Sequence, residues 1–356
     1  MNDQYVFHVV SGLETIAKQE LVANGIVVNY IHKKIIIGEY KGDIRNFSKL
    51  LTIDDVGLIL EITRDYNSND LPSIISHTLK LKLLDAIKSI KTLRTIDKKY
   101  CITVSKFKVD LENYTRDTMP ILIDTINQIT GYDYVEKDHT NLDIRMDIDK
   151  EKVISSVKVF TKSLYKRKYI QEDYLGSLKP TIASSLIKLA LSKTKAIKPR
   201  NIVDTFCGSG TILCEGISQG FEVFGGDIKP LACKIAINRL KRISPDNPQI
   251  HEESASKTSW HNNQFDIAIS NPPWNEKVKI ENMKTVLSES IIEYARIIKK
   301  DGTLCILTKF PDIVVKKIKK SFKNHIIEKF QISFNGQQPT IVIAYKNYYD
   351  LHKPKR

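Results

Sequence analysis

The chain contains no run of about 18 apolar residues, so no transmembrane helix is expected. Its start, Met1 to Val10, is a short alternating stretch without a basic n-region and does not read as a signal peptide. Cysteine is scarce. Cys101, Cys207, Cys214, Cys233 and Cys305 form no CxxC pair, and their spacing suggests neither a zinc site nor a disulfide framework. Reduced thiols in a cytoplasmic protein are the simplest reading. The eight histidines do not cluster with carboxylates at ligand spacing, so no metal is expected. There is no internal repeat and no low-complexity tract. Negative charge is also short, with 41 acidic against 55 basic residues, a net +14 and a pI of about 9.3. Such an excess favours polyanions, chiefly nucleic acid. An AT-rich coding sequence that favours Lys, Ile and Asn produces the same balance, so composition alone leaves both readings open.

What is present suffices for real cores. The 356 residues are 42% hydrophobic and 27% charged, near globular averages. Domains of about 100–200 residues predict two or three of them. The first part reads as mixed α and β. Strands are expected at Tyr5–Val10, Val27–Ile31, Lys34–Ile37, Val56–Thr63 and Tyr100–Val104. Helices are expected at Leu13–Ala23, Pro72–Ile90 and Thr115–Thr130, the last stopping at Gly131. Leu142–Ile148 and Val153–Phe160 suggest paired strands around a turn at Asp149–Glu151. The run Lys162 to Tyr169 interleaves four cations, Lys162, Lys166, Arg167 and Lys168, with two tyrosines. It reads either as a solvated connector or as an RNA contact, with cations on phosphates and Tyr165 and Tyr169 stacking on bases.

From Pro180 the texture changes. A helix over Pro180–Lys193 is followed by short apolar strands at Ile202–Thr205, Val223–Gly226, Phe265–Ser270 and Thr303–Thr308, with helices between. That rhythm predicts a doubly wound parallel sheet. Ile326–Ser333 and Thr340–Tyr345 have no helical segment between them and predict a closing antiparallel hairpin at the sheet edge.

The first strand runs into Asp204-Thr-Phe-Cys-Gly-Ser-Gly210. Gly208 and Gly210 let the backbone bend and approach a ligand, and the next helix offers free N–H groups. A nicotinamide fingerprint needs a third glycine where Leu213 stands, and no Gly-Lys-Ser/Thr follows, so a P-loop is not written either. About 17 residues after Gly210, Gly226-Asp227 ends the next strand and places a carboxylate where ribose hydroxyls bind. Asp204 lies where a cationic ligand group could sit. Cys207 and Cys214 read as packing residues.

Asn271-Pro-Pro-Trp274 follows the strand Phe265–Ser270, at the end of the sheet where such folds bind ligands. The Asn271 side chain and the Pro272 carbonyl offer two acceptors, Pro273 stiffens the turn, and Trp274 offers a stacking face. An exocyclic base amine, a poor nucleophile, would be held by both N–H bonds with its lone pair directed at an electrophile. A sulfonium methyl needs neither metal nor general base.

These three motifs resemble those of class I amino-methyltransferases, and the first is closest to the Asp-Pro-Phe-Cys-Gly-Ser-Gly of RNA guanine-N2 methyltransferases. Leu178-Lys-Pro-Thr-Ile-Ala-Ser-Ser-Leu186 looks like that family's preceding segment, whose Pro-Thr lies against the methionine part of the cofactor. Phe107-Lys-Val-Asp110, the helix after Thr115, Thr130-Gly-Tyr132 and Leu142–Asp147 resemble its THUMP module. The resemblance implies an α/β fold class: a C-terminal Rossmann-like class I methyltransferase sheet over 179–350, a ferredoxin-like domain over 1–60, a THUMP domain over 61–161 and a linker over 162–178. It implies S-adenosyl-L-methionine as cofactor, held by Pro180, Thr181, Asp204, Phe206, Cys207, Gly208, Ser209, Gly210, Thr211, Asp227, Ile228, Ser254, Ala255 and Asn271. The catalytic set would be Asn271, Pro272, Pro273 and Trp274. The implied partner is the acceptor end of tRNA, bound by a monomer that forms N2-methylguanosine. Ribosomal RNA, adenine N6, duplex DNA and a catalytically dead RNA-binding role are the alternatives. Two positions depart from the family. Trp274 stands where Tyr or Phe is usual. Ser254 stands where an acidic residue holds the adenine amine, with Glu252 and Glu253 beside it as candidate substitutes. The Lys316–Lys320 run reads as a solvated helix face, and Lys353, Lys355 and Arg356 as a frayed end.

Overall fold

The computed structural model describes residues 3–66, 70–106, 112–172, 174–194, 198–245, 248–274, 282–323 and 325–346. Phe107–Asp110 and the tail cations Lys353, Lys355 and Arg356 lie outside them. The chain divides into two compact units, Met1–Val9 with Lys18–Leu164, and Val10–Ala17 with Tyr165–Arg356. Among the described residues no helix is long and apolar enough to cross a membrane.

The first unit contains β1 (Gln4–His8), α1 (Glu14–Ala23, shared in sequence with the second unit), β2 (Val27–His32), β3 (Ile35–Glu39), β4 (Asp55–Arg64), α2 (Leu71–Lys91), β5 (Lys99–Lys106), α3 (Glu112–Thr130), β6 (Asp133–Tyr134), β7 (Asp143–Ile148) and β8 (Lys152–Lys158). One eight-stranded sheet, in the order β2-β3-β1-β4-β8-β7-β5-β6, takes in all of its strands. The domain boundary expected at residues 60 and 61 falls inside β4, which pairs antiparallel with β1 on one side and β8 on the other. Apolar packing crosses the same line, with Val6, Ile35 and Ile37 clustering with Ile154 and with Ile59 and Ile62 at their edge. The expected turn between β7 and β8 is closed by Asp149, whose Oδ1 accepts the N–H groups of Glu151 and Lys152 at 2.8 and 3.0 Å.

The second unit contains α4 (Pro180–Lys193), β9 (Asn201–Asp204), α5 (Thr211–Ser218), β10 (Glu222–Asp227), α6 (Pro230–Lys241), β11 (Gln249–Glu252), β12 (Phe265–Ser270), α7 (Met283–Ile297), β13 (Ile298–Thr308), α8 (Pro311–Ser321), β14 (His325–Gln331) and β15 (Thr340–Lys346). Prolines occupy the first turns of α4, α6 and α8, where a missing N–H costs nothing. The sheet order is β11-β10-β9-β12-β13-β15-β14. The first five strands are parallel, and β15 inserts antiparallel between β13 and β14, completing the expected hairpin. The strands are apolar at nearly every position because both faces are covered. Ile202, Ile267, Ile269, Cys305 and Leu307 pack with Ile182, Leu186 and Leu189 of α4. Their strand neighbours Val203, Ala268, Leu304 and Ile306 pack with Leu287, Ile291 and Tyr294 of α7.

The expected linker does not behave as one along its whole length. From Tyr165 it is part of the second unit, anchored on the fully buried carboxylate of Glu215 in α5. Arg167 donates to Glu215 through Nε and Nη2 at 3.0 and 3.2 Å, Tyr169 through Oη at 2.8 Å and Ser184 through Oγ at 2.5 Å. Removing Glu215 strips a buried, charged acceptor from the side chains of Arg167, Tyr169 and Ser184. Glu215→Ala is expected to lower the stability of the protein by about 3–5 kcal/mol, read as the urea midpoint of the full chain.

Candidate active site

The chain runs outward from β9 through β10 to β11, then returns to place β12 on the other side of β9. The crevice beyond the strand ends at that switch is where such sheets bind ligands. Asp204 ends β9 and Ser270 ends β12. Both are buried, and Ser270 Oγ donates to Asp204 Oδ1 at 2.5 Å. Tyr294 of α7 brings its hydroxyl to Ser270 Oγ at 2.5 Å and to Thr205 Oγ1 at 2.6 Å. The Phe206 N–H also donates to Asp204 Oδ1, at 3.0 Å. Complete burial pushes the Asp204 carboxyl up to about 7, and the charge of Asp227 adds to this, while the bonds from Ser270 and Phe206 pull the other way.

The two glycines of the loop do different work. Gly208 has φ +52, and a Cβ there would meet nothing within 4 Å, so it bares backbone to the cavity. Its N–H donates to Asp227 Oδ2 at 2.9 Å, and Asp227 Oδ1 accepts from the Lys229 N–H at 2.9 Å. Gly210, at φ +79, does not line the cavity. A Cβ there would lie 3.0 Å from that of Ala236, so it permits α5 to approach α6. Cys207 and Cys214 pack with Leu213 and Leu240, and burial raises both thiols above their ordinary range.

A cavity of about 330 Å³ opens at this point. Of the expected residues it is lined by Asp204, Phe206, Cys207, Gly208, Ser209, Thr211, Asp227, Ile228, Ser254, Ala255, Asn271, Pro272, Pro273 and Trp274. Pro180 and Thr181 are buried at the start of α4 and are not among its lining residues. Ser254 reaches the cavity while Glu252 and Glu253 do not, and Glu253 Oε2 instead accepts the Ser259 N–H at 2.8 Å. Sequence reasoning missed Tyr174–Leu178, Thr205, Ile212, Lys229, Val286, Phe334, Asn335 and Gln337, which also line it. The strap Tyr174–Leu178 is fastened by Ser177 Oγ, 2.6 Å from Ser209 Oγ. The fully buried Arg239 donates to that Ser209 oxygen at 2.7 Å and to the Glu172 carbonyl at 2.6 Å.

Asn271 Oδ1 is buried and has no hydrogen-bond partner among the described residues. Pro272 is buried behind it. Trp274 is held by Nε1 donating to the Leu307 carbonyl at 3.4 Å, by the Phe334 ring edge-on at 6.0 Å, and by the Lys309 ammonium 5.7 Å from its ring centre. The expected RNA contacts divide. Lys162, Lys166 and Lys168 are exposed, whereas Arg167 is committed to Glu215. Tyr169 is buried on Glu215, so it has no free face for a base, and the Lys179 ammonium lies 4.3 Å from the Tyr165 ring centre.

Residues 167–340 match the model of a family described as UPF0020, RMKL-like, methyltransferase domain. Over 99 residues the chain is 33% identical to the Type II methyltransferase M.MvaI of Kocuria varians, covering 27% of this chain and 20% of that protein. Over 171 residues it is 26% identical to the U6 snRNA (guanine-N(2))-methyltransferase THUMPD2 of Mus musculus, covering 47% and 30%. The matches thus span less than a third of either curated relative. TrmN from Thermus thermophilus superposes with a TM-score of 0.78 at 16% identity, over 97% of this chain and all of that one. SMU.472, crystallised with SAH, superposes with a TM-score of 0.70 at 15% identity over the full length of both. Residues 167–340 thus match a methyltransferase domain, on a fold of the kind that takes S-adenosylmethionine as cofactor.

The cavity fits that group. Asp227 and the bared backbone of Gly208 suit a ribose. Leu175 and Ile228, at 63% and 64% exposure, present apolar surface that a flat base can cover. Thr211 Oγ1, at the start of α5, is a second buried polar atom without a partner among the described residues. Asp204 suits the cationic methionine end. It attracts a cation when ionised, and burial, by pushing its carboxyl up to about 7, favours the neutral form as the pH falls below that value. Cofactor affinity measured by calorimetry between about pH 5.5 and 8 is therefore expected to be highest above pH 7 and to fall by up to about tenfold per unit below it. Asp204→Asn should bind more weakly and without that dependence. An unchanged profile in the variant would remove Asp204 from the role.

Proposed function

We propose that the protein is an RNA methyltransferase that forms N2-methylguanosine in the acceptor-stem region of tRNA, with the first unit, ferredoxin-like and THUMP-like halves on one sheet, gripping the RNA. The observation that carries the chemistry is Asn271 Oδ1, a buried acceptor without a partner among the described residues, at the end of β12 and followed by two prolines and a tryptophan. A buried acceptor left unpaired costs about 1–3 kcal/mol, so a ligand N–H at this point is favoured. The amine-to-RNA assignment is supported by the guanine-N2 activity named for THUMPD2, by the wording of the Asp204–Gly210 loop and by the net +14 charge.

S-adenosylmethionine supplies an electrophilic methyl group on a sulfonium. The chain's own residues do the rest. Asn271 Oδ1 and the Pro272 carbonyl accept the two N–H bonds of the base amine. That turns the nitrogen lone pair toward the methyl and stabilises positive charge as it builds on nitrogen. Trp274, pinned to Leu307 and Phe334, stacks on the base extruded from its helix. The exposed Lys162, Lys166 and Lys168 take RNA phosphates.

Asn271→Ala is expected to reduce single-turnover methyl transfer by at least about 10²-fold while cofactor affinity stays within a few-fold. Equal transfer by the variant would sink the mechanism. Lys166→Ala with Lys168→Ala should weaken RNA binding and reduce the slope of log K against log salt by about 2. The deciding assay is methyl transfer from labelled S-adenosylmethionine to total tRNA, total rRNA and duplex DNA, with nucleosides identified by mass. N2-methylguanosine in tRNA alone supports the reading. Label in rRNA or as N6-methyladenosine keeps the chemistry and overturns the substrate.

A further inference from the structure

The hairpin between β14 and β15 brings a second amide to the cavity. Asn335 and Gly336 adopt φ +48 and +71, the left-handed pair that makes a tight two-residue turn. Phe334 and Gln337 close it by exchanging backbone N–H···O bonds of 3.1 and 2.9 Å. Gln337 is thereby fixed next to Phe334, whose ring braces Trp274. It lines the same cavity as Asn271 and Trp274. Its Oε1 is buried and has no hydrogen-bond partner among the described residues. The stacking slot thus has a bare acceptor on each of two separate elements.

We infer that Gln337 reads the ring edge beside the methylated amine and selects guanine over adenine, an inference that rests on the guanine-N2 reading above. When Asn271 and Pro272 hold the amine, the neighbouring ring nitrogen is N1 in either purine. In guanine N1 carries a proton and satisfies Gln337 Oε1. In adenine N1 is an acceptor, so only the amide NH2 can meet it, and Gln337 Oε1 is then left facing C2–H, which does not satisfy it. The amide also offers an NH2 beside its oxygen, which matches guanine O6, the next group along that edge. A site built to hydrogen-bond a substrate group discriminates far more strongly against an analogue lacking it than a site that only fits its shape.

The probe is the RNA that the wild-type protein methylates, made with either guanosine or 2-aminopurine at the methylated position. 2-Aminopurine keeps the C2 amine but lacks the N1 proton and O6. The wild type is expected to prefer guanosine by about 10²-fold in kcat/KM. Gln337→Leu should lose most of its activity on guanosine, retain that on 2-aminopurine within a few-fold and bring the ratio close to one. Gln337→Glu, which keeps the acceptor and loses the donor, should fall between. Cofactor affinity and melting temperature report whether each variant is folded. An equal loss on both substrates, or a preserved ratio, overturns the assignment of Gln337 alone. A wild-type product of N6-methyladenosine, or no product on any RNA, overturns the guanine reading and this inference with it.

Discussion

The hydrogen bond from Ser270 to the buried carboxyl of Asp204 ties the end of β9 to the end of β12. Backbone pairing between these strands covers only Ile202 with Ile267 and Val203 with Ala268. Beyond it the chain leaves β9 in one direction and β12 in the other, because this is where the strand order reverses. A side-chain bond spans what the ladder no longer holds, and Tyr294 braces it from α7. Asp204 opens the glycine loop and Ser270 immediately precedes Asn271. The spacing between the glycine loop and the Asn271–Trp274 turn is set by this contact.

The cavity is rich in acceptors. Asp204, Asp227, Asn271 and Gln337 all line it. That arrangement suits a cationic donor and an amine whose N–H bonds must be held, and it raises the Asp204 carboxyl by placing it in low dielectric near a like charge. Arg239 and Glu215, fully buried on α6 and α5, hold Ser209 and the segment from Tyr165 to Leu178 against the loop through charge-assisted bonds.

Much of this was legible in the sequence. Asp204, Phe206–Ser209, Asp227 and Asn271–Trp274 line the cavity as expected because each motif is contiguous and sits at a strand end. Gly210 was read as a ligand-facing glycine and instead accommodates Ala236, a neighbour on another helix. Arg167 and Tyr169 belong to a stretch that reads either as a solvated connector or as an RNA contact. Their partner Glu215 is 48 and 46 residues away, and an ion pair at that separation leaves no mark on local pattern. Phe334, Asn335 and Gln337 look like an ordinary Asn-Gly turn, and only the insertion of β15 between β13 and β14 carries them to the cavity.

The sequence by itself determined the alternation of apolar strands and helices, the glycine loop, the proline-stiffened turn and the closing hairpin. Each follows from periodicity or from residues whose backbone preferences are intrinsic. Tertiary structure alone decided that β4 joins both halves of the first unit into one sheet, that Ser254 and not Glu252 or Glu253 lines the cavity, and that Gln337 lines the same cavity as Trp274. Those outcomes depend on which strand edge pairs with which and on how far each chain segment is carried before it packs. Pairing of that kind is set by burial summed over the whole sheet.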